Sequence, residues 1–209
     1  MSEHAKLYNA ILEGNAKMAE EAARAALAAN VDPGDLVQKC MIPAMDEVGR
    51  RFECNEYFVP ELLIAARAMK TSLALISPLL VAAGTEPVGR VVIGTVQGDL
   101  HDIGKNLVAS MLEGGGFEVV DLGVDVPPKR FVEAAKEKDG TIVALSALLT
   151  TTMTMMKTVI QALERAGVRS KTKVIIGGAP ITQQYAREIG ADGYSDNAST
   201  AVALARKLV

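Results

Sequence analysis

A chain of 209 residues, 49% of them apolar, is long enough to bury one large core or two smaller ones. A net charge of −3 and a pI near 5.5, without any basic block, argue against a phosphate-neutralising surface and so against nucleic acid as a partner. No run approaches the ~20 uninterrupted apolar residues of a membrane span, and the N-terminal segment lacks the basic start and apolar run of a signal peptide; no membrane association and a cytoplasmic location are expected.

The first 84 residues or so carry a helical pattern. Leu7 and Ile11 mark a short first helix, and Asn15 to Ala29 is Ala-rich with interleaved charges. Asp32-Pro33 has the form of an N-cap followed by proline at the first helical position. Leu36, Cys40, Ala44, Val48 and Phe52 follow at four-residue spacing, one apolar stripe. A last helix opens near Val59-Pro60 and runs to Ala83 with Leu62, Ala65, Met69, Leu73, Ile76 and Leu80 on its apolar face. The pattern predicts a small four-helix bundle over residues 1–87. Cys40 and Cys54 fall in one helix, four turns along, too far apart for a disulfide; they read as reduced, buried thiols. Phe52, Tyr57 and above all Phe58 read as bundle core.

Gly84-Thr85-Glu86-Pro87 breaks the period and reads as a linker. From there to residue 209 short apolar runs alternate with amphipathic stretches. The runs are Val91 to Val96, Glu118 to Leu122, Ile142 to Leu145, Val174 to Ile176 and a weak fifth at Asp192 to Tyr194. Helices are predicted near 103–115, 128–138, 151–166, 181–188 and 197–208. Five βα units imply an α/β domain, a parallel sheet wrapped on both faces. In a flavodoxin-like (Rossmann-type) five-stranded order 2-1-3-4-5, ligands bind beyond the strand ends, between strands 1 and 3.

The segment after strand 1 is Gln97-Gly98-Asp99-Leu100-His101-Asp102-Ile103-Gly104-Lys105-Asn106. It misses the Walker spacing and ends in Asn rather than Ser or Thr, and Gly94, Gly98 and Gly104 miss the dinucleotide fingerprint. What remains is Asp-x-His-x-x-Gly. A carboxylate that accepts the distal N–H of a ligating histidine fixes its tautomer and raises its basicity, and Gly104 would let a bulky ligand approach the backbone. On this motif alone, Asp99 and Asp102 capping a helix beside an exposed His101 is the commoner reading, because so short a pattern recurs by chance. After strand 3, Ser146-Ala147-Leu148-Leu149-Thr150-Thr151-Thr152 offers hydroxyls from Ser146, Thr150 and Thr152 at the end of a buried strand. Gly177-Gly178 follows strand 4, as a tight turn or as room for a ligand against the sheet. Met69, Met153, Met155 and Met156 read as core fillers.

Taken as a set, Asp99-Leu100-His101-Asp102-Ile103-Gly104, Ser146-Ala147-Leu148 and Gly177-Gly178 resemble the cobalamin-binding domain of methionine synthase, of B12-dependent mutases and above all of small corrinoid methyl-carrier proteins, over about residues 88–209. The resemblance implies base-off, His-on cobalamin with His101 as the metal ligand below cobalt. It places the nucleotide tail between strands 1 and 3, in contact with Ser146 and Thr150 and with room at Gly177-Gly178. Gly98, Leu100, Asp102, Ile103, Leu148 and Leu149 complete the implied cofactor-binding set. Asp99 would hydrogen-bond His101, with Thr152 where the family extends this pair to a hydroxyl.

A preceding helical bundle resembles the cap of methyl carriers rather than mutase domains. The chain has no Trp, and Phe52-Glu53-Cys54-Asn55-Glu56-Tyr57-Phe58-Val59-Pro60-Glu61-Leu62 lacks the Glu-His pair of B12-dependent regulators. The resemblance implies a methyl shuttle, cycling between methylcobalamin and the Co(I) corrinoid, that is not an enzyme by itself. Its partners would be a substrate-specific methyltransferase, a second methyltransferase acting on a folate or thiol, and a reductive activator. Methanol, methylamine, betaine and aryl methyl ether donors all remain open. So do a B12-dependent sensor, a mutase cobalamin subunit and a phosphate- or flavin-binding domain.

Overall fold

Alanine sets how the N-terminal helices meet. In the computed structural model, which describes residues 3–209, α1 (Glu3–Leu12) buries Leu7, Ala10, Ile11 and Leu12, and α2 (Ala16–Ala28) buries Ala19, Ala22, Ala23 and Ala26. That i, i+3, i+4, i+7 set is one face of a 3.6-residue period, with side chains small enough for close approach. Asn15 starts α2 by accepting the Met18 N–H on its side chain.

The apolar stripe opened by Asp32 runs through three segments: α3 (Pro33–Leu36), a π-helical turn over Val37–Met41, and α4 (Ile42–Glu53). Pro43 explains the turn. It has no N–H to continue the ladder and its ring crowds the carbonyl four residues back, and the Ile42 N–H bonds to the carbonyl of Val37, five residues away. Leu36, Cys40, Ala44 and Val48 are buried along the stripe. α5 (Val59–Ala82) buries Leu62, Ala65, Ala66, Ala68, Met69, Ser72 and Ile76. By length and composition it could cross a membrane, but Glu61, Arg67 and Lys70 interrupt its apolar run.

Two expectations fail at the end of α4. Cys54 is exposed rather than buried, because it follows the last helical residue. Phe58 is 60% exposed, not core. It holds the N-cap position of α5 in extended conformation, where its backbone N–H donates to Glu61 at 2.9 Å, and that position turns its side chain off the helix face. Tyr57 is held instead: its hydroxyl donates to the carbonyl of Leu12 at 3.1 Å, and Arg51 lies over its ring.

The α/β unit contains β1 (Arg90–Thr95), α6 (Ile103–Gly114), β2 (Glu118–Asp121), α7 (Pro128–Lys136), β3 (Ile142–Ser146), α8 (Thr154–Arg165), β4 (Lys173–Gly177), α9 (Gln183–Ile189), β5 (Gly193–Tyr194) and α10 (Ala198–Arg206). All strand pairs are parallel, in the order β2-β1-β3-β4-β5. β1 is buried at every position, as a strand covered on both faces must be. Phe131, Val92, Val143, Met156, Leu163 and Val174 lie in the core against the sheet. Strand register aligns the sheet's working edge: Thr95 pairs with Ser146, and Ser146 with Gly177. The three central strands therefore end at one level, and the loops leaving them start side by side. Compact units form from residues up to Pro87 with Glu113–Gly116, and from Val88–Leu112 with Phe117–Val209.

The two thiols should separate cleanly. Cys40 is buried, its Sγ 3.1 Å from the carbonyl of His4, and burial pushes its thiol up to about 11. At pH 8 a chromogenic disulfide reagent should titrate Cys54 alone in the native protein and both thiols in denaturant. Fast reaction of both in the native state would contradict this packing.

Candidate functional site at the strand ends

A buried carboxylate organises the crevice where strand order reverses, between β1 and β3. Asp99 is 2% exposed, and a carboxylate in that position must be hydrogen-bonded or protonated. Donors reach it from two loops. From its own loop, Oδ1 accepts the backbone N–H of His101 at 3.2 Å and faces its ring Nδ1 at 2.7 Å. From the loop after β3, Oδ2 accepts the Leu148 N–H at 2.8 Å, the Leu149 N–H at 3.4 Å and the Thr152 hydroxyl at 2.6 Å. Burial alone would raise the Asp99 carboxyl; the bonds from Thr152, His101 and the Leu148 N–H overcome it and hold the group well below the usual carboxylate range.

An ionised carboxylate only accepts, so the His101 proton belongs on Nδ1. Nε2 then keeps its lone pair, and the Ser146 hydroxyl, 2.9 Å away, donates to it. The backbone is held as well, since the Thr95 hydroxyl donates to the carbonyl of His101 at 2.8 Å. The imidazole side chain is only 15% exposed, while the two loops that meet at Asp99 expose four apolar side chains: Leu100 and Ile103 at 74% and 76%, and Leu148 and Leu149 at about half. Exposed leucines and isoleucine on two adjoining loops mark a surface built to be covered.

Asp99, His101, Ser146, Leu148, Leu149 and Thr152 thus converge, as the positions of the segments after the first and third strands suggested. Asp102 and Ile103 are exposed at the start of α6, where the carbonyl of Asp102 accepts the Asn106 N–H. A side chain at Gly104 would meet nothing within 4 Å, so the approach there is open. Thr150 is exposed and lies outside the network: the strand ends at Ser146 and α8 begins only at Thr154, so Thr150 sits on an intervening turn rather than at a strand end. Gly177 and Gly178 have a reason other than ligand room. A Cβ at Gly178 would lie 1.9 Å from the carbonyl oxygen of Ala147, at φ +128°, and one at Gly177 would lie 3.0 Å from that of Ser195. Backbone approach requires glycine at 178 and leaves a side chain at 177 little room.

Sequence reasoning missed three contributors. Thr95 looked like an ordinary strand residue. Lys105 is 3% exposed and pairs with Asp121 at the end of β2. Asp125, in the loop after β2, accepts the Gly98 N–H on its carboxylate at 2.7 Å. Only Asp125 left a local signal, as an Asp two residues before Pro127-Pro128 in a turn.

The donor set bears on what the site can hold. Among the described residues no group of three or more His, Cys, Asp or Glu could hold a metal ion, so the protein offers one imidazole lone pair within an apolar surround. That suits a metal whose other ligands come from a macrocycle, with a broad face to lay on Leu100, Ile103, Leu148 and Leu149.

Comparison with known proteins agrees. Residues 89–203 match a B12 binding domain model, and residues 3–77 match a second B12 binding domain model. The chain is 46% identical over 207 residues to trimethylamine corrinoid protein 1 of Methanosarcina acetivorans, covering 98% of this chain and 96% of that one. It is also 46% identical over 181 residues to dimethylamine corrinoid protein 3 of the same organism, covering 87% and 85%. The crystal structure of the methanol:cobalamin methyltransferase complex of Methanosarcina barkeri matches at 32% identity and a TM-score of 0.85, over 96% of this chain and 77% of that one. With cobalamin as its cofactor, this chain belongs to the corrinoid proteins built on the B12-binding domain.

Proposed function

We propose that this protein carries a methyl group between a methylamine methyltransferase and a second methyltransferase, and that His101 is the residue that would hold cobalt, through Nε2. The observation that carries the ligand assignment is the Asp99 to Nδ1 contact at 2.7 Å, which leaves the ring's one lone pair on Nε2. Bound cobalamin supplies the cobalt centre on which a methyl group is held and given up. The chain's own residues set ligation and access.

Asp99 orients the imidazole and makes it a better donor. Thr152 and the Leu148 N–H keep Asp99 ionised. Ser146 lies within hydrogen-bond reach of Nε2 and is free to turn to a nucleotide tail in the crevice once Nε2 is engaged. Of the donor classes open in the sequence, methylamines are favoured by the similarity to trimethylamine and dimethylamine corrinoid proteins over nearly the full chain. A substrate-specific methyltransferase partner is supported by the likeness to the methanol:cobalamin methyltransferase complex. An acceptor methyltransferase using a folate or thiol, and a reductive activator, complete the proposed set.

Three measurements test this reading. Reconstituted protein should show a base-off, His-on spectrum that His101→Ala abolishes; an unchanged spectrum and affinity in that variant would remove His101 from cobalt. Asp99→Asn places an amide N–H₂ where three donors converge and should lower stability without cofactor by ~1–3 kcal/mol in urea titration; no change would deny Asp99 its organising role. Offered methyltransferases of each donor class with their substrates, the reduced protein should be methylated from one of the methylamines and not from methanol, betaine or aryl methyl ethers. Methylation from any of those three instead would reassign the donor.

A further inference from the structure

We infer that Asp125 is a positioning residue for cofactor ligation: its carboxylate and its backbone N–H together clamp Gly98 and Asp99, the two residues that set the aim of His101. This inference rests on the reading of His101 as the cobalt ligand.

The loop after β2 does not leave the sheet at once. The Leu122 N–H bonds to the carbonyl of Ile93 at 2.8 Å, the Thr95 N–H to Gly123 at 3.0 Å and the Val126 N–H to Thr95 at 3.0 Å, and Val96 and Val126 form a parallel bridge. The segment 122–126 thus tracks β1 past the end of β2 and reaches the loop that carries His101. There Asp125 makes two bonds. Its Oδ1 accepts the Gly98 N–H at 2.7 Å, and its own N–H donates to the carbonyl of Asp99 at 3.0 Å. The backbone of Asp99 is thereby gripped from the β2 side while its carboxylate is gripped from the β3 side by Leu148 and Thr152.

Both residues at this contact take the left-handed conformation, Gly98 at φ +84° and Asp125 at φ +51°. Glycine does so freely, whereas among other residues Asp and Asn are the tolerated ones. A non-glycine residue in that region is held there by its surroundings, and such positions concentrate at functional loops. Helix capping does not account for Asp125, because α7 starts at Pro128 with Pro127 at its cap position. A carboxylate on a backbone N–H is a charge-assisted bond. Its effect here is to stop the peptide between Gly98 and Asp99 from rotating, which would swing Asp99 Oδ1 away from Nδ1.

The test compares two substitutions in the cobalamin-loaded protein. Asp125→Gly keeps the left-handed backbone and the N–H to Asp99 but loses the carboxylate; Asp125→Asn keeps an acceptor oxygen in place. In the EPR spectrum of the Co(II) form of protein carrying heavy-isotope nitrogen in its histidines, the superhyperfine splitting that the label changes from triplet to doublet reports the fraction with histidine on cobalt, apart from any splitting by the cofactor's own base, and it is paired with bound-cobalamin stoichiometry. Asp125→Gly should retain cobalamin yet lower the His-on to His-off ratio by about tenfold, the scale of one lost charge-assisted bond, while Asp125→Asn stays near wild type. If the glycine variant does not fold, Asp125→Ser, whose hydroxyl stops one bond short of the Oδ1 position, carries the same expectation. A wild-type ratio in the variant lacking the carboxylate, or an equal fall in the asparagine variant, overturns the clamp. His101→Ala in the same assay separates the failures: splitting that survives it sinks the ligation reading itself, and splitting that it abolishes but Asp125→Gly leaves intact sinks the clamp alone.

Discussion

The Asp99 carboxylate, buried with Leu148, Thr152 and His101 donating to it, holds together the working edge of the α/β unit. A charge taken out of water is tolerated only when its lone pairs are filled. Here the donors come from segments about fifty residues apart, so Asp99 ties the loop after β1 to the loop after β3. One group thereby welds the crevice together and fixes the histidine tautomer, leaving Nε2 as the atom available to a metal.

That weld is possible because of strand register. Thr95, Ser146 and Gly177 lie abreast at the ends of β1, β3 and β4, so loops leaving neighbouring strands meet within hydrogen-bond distance. Crowding comes from the same alignment. Gly178 lies where any side chain would strike the carbonyl of Ala147, which makes it a packing requirement of the site before it is anything else. The exposed Leu100, Ile103, Leu148 and Leu149 are the other side of this arrangement: with the polar groups turned inward to satisfy Asp99, the surface left outward is apolar and suits a flat macrocycle.

The helical unit shows how local chemistry bends a regular pattern. The stripe from Leu36 to Val48 is one helical face by spacing, yet Pro43 forces a π turn into it, and Phe58, aromatic and flanked by apolar residues, is turned out to solvent by its place at a helix cap. Periodicity reports which residues could share a face. It does not report which position opens a helix, and that decides the direction of the side chain.

Residue order alone specified the architecture and named most residues of the candidate site. Alternating apolar runs and amphipathic stretches demand a parallel sheet, because only strands covered on both faces lack polar alternation, and Asp99, His101, Ser146 and Thr152 could be named from their places beyond the runs. How these hydroxyls stand in space was settled by folding. Thr152 reaches Asp99 and Thr150 does not, because the turn after Ser146 places one inward and the other in solvent, and no spacing rule covers an irregular turn. The roles of Thr95 and Asp125 were hidden for the same reason, although Asp125 left a local turn signal. Their bonds to Gly98, Asp99 and His101 span up to 27 residues of chain, and contacts of that kind exist only once the sheet has brought its strand ends together.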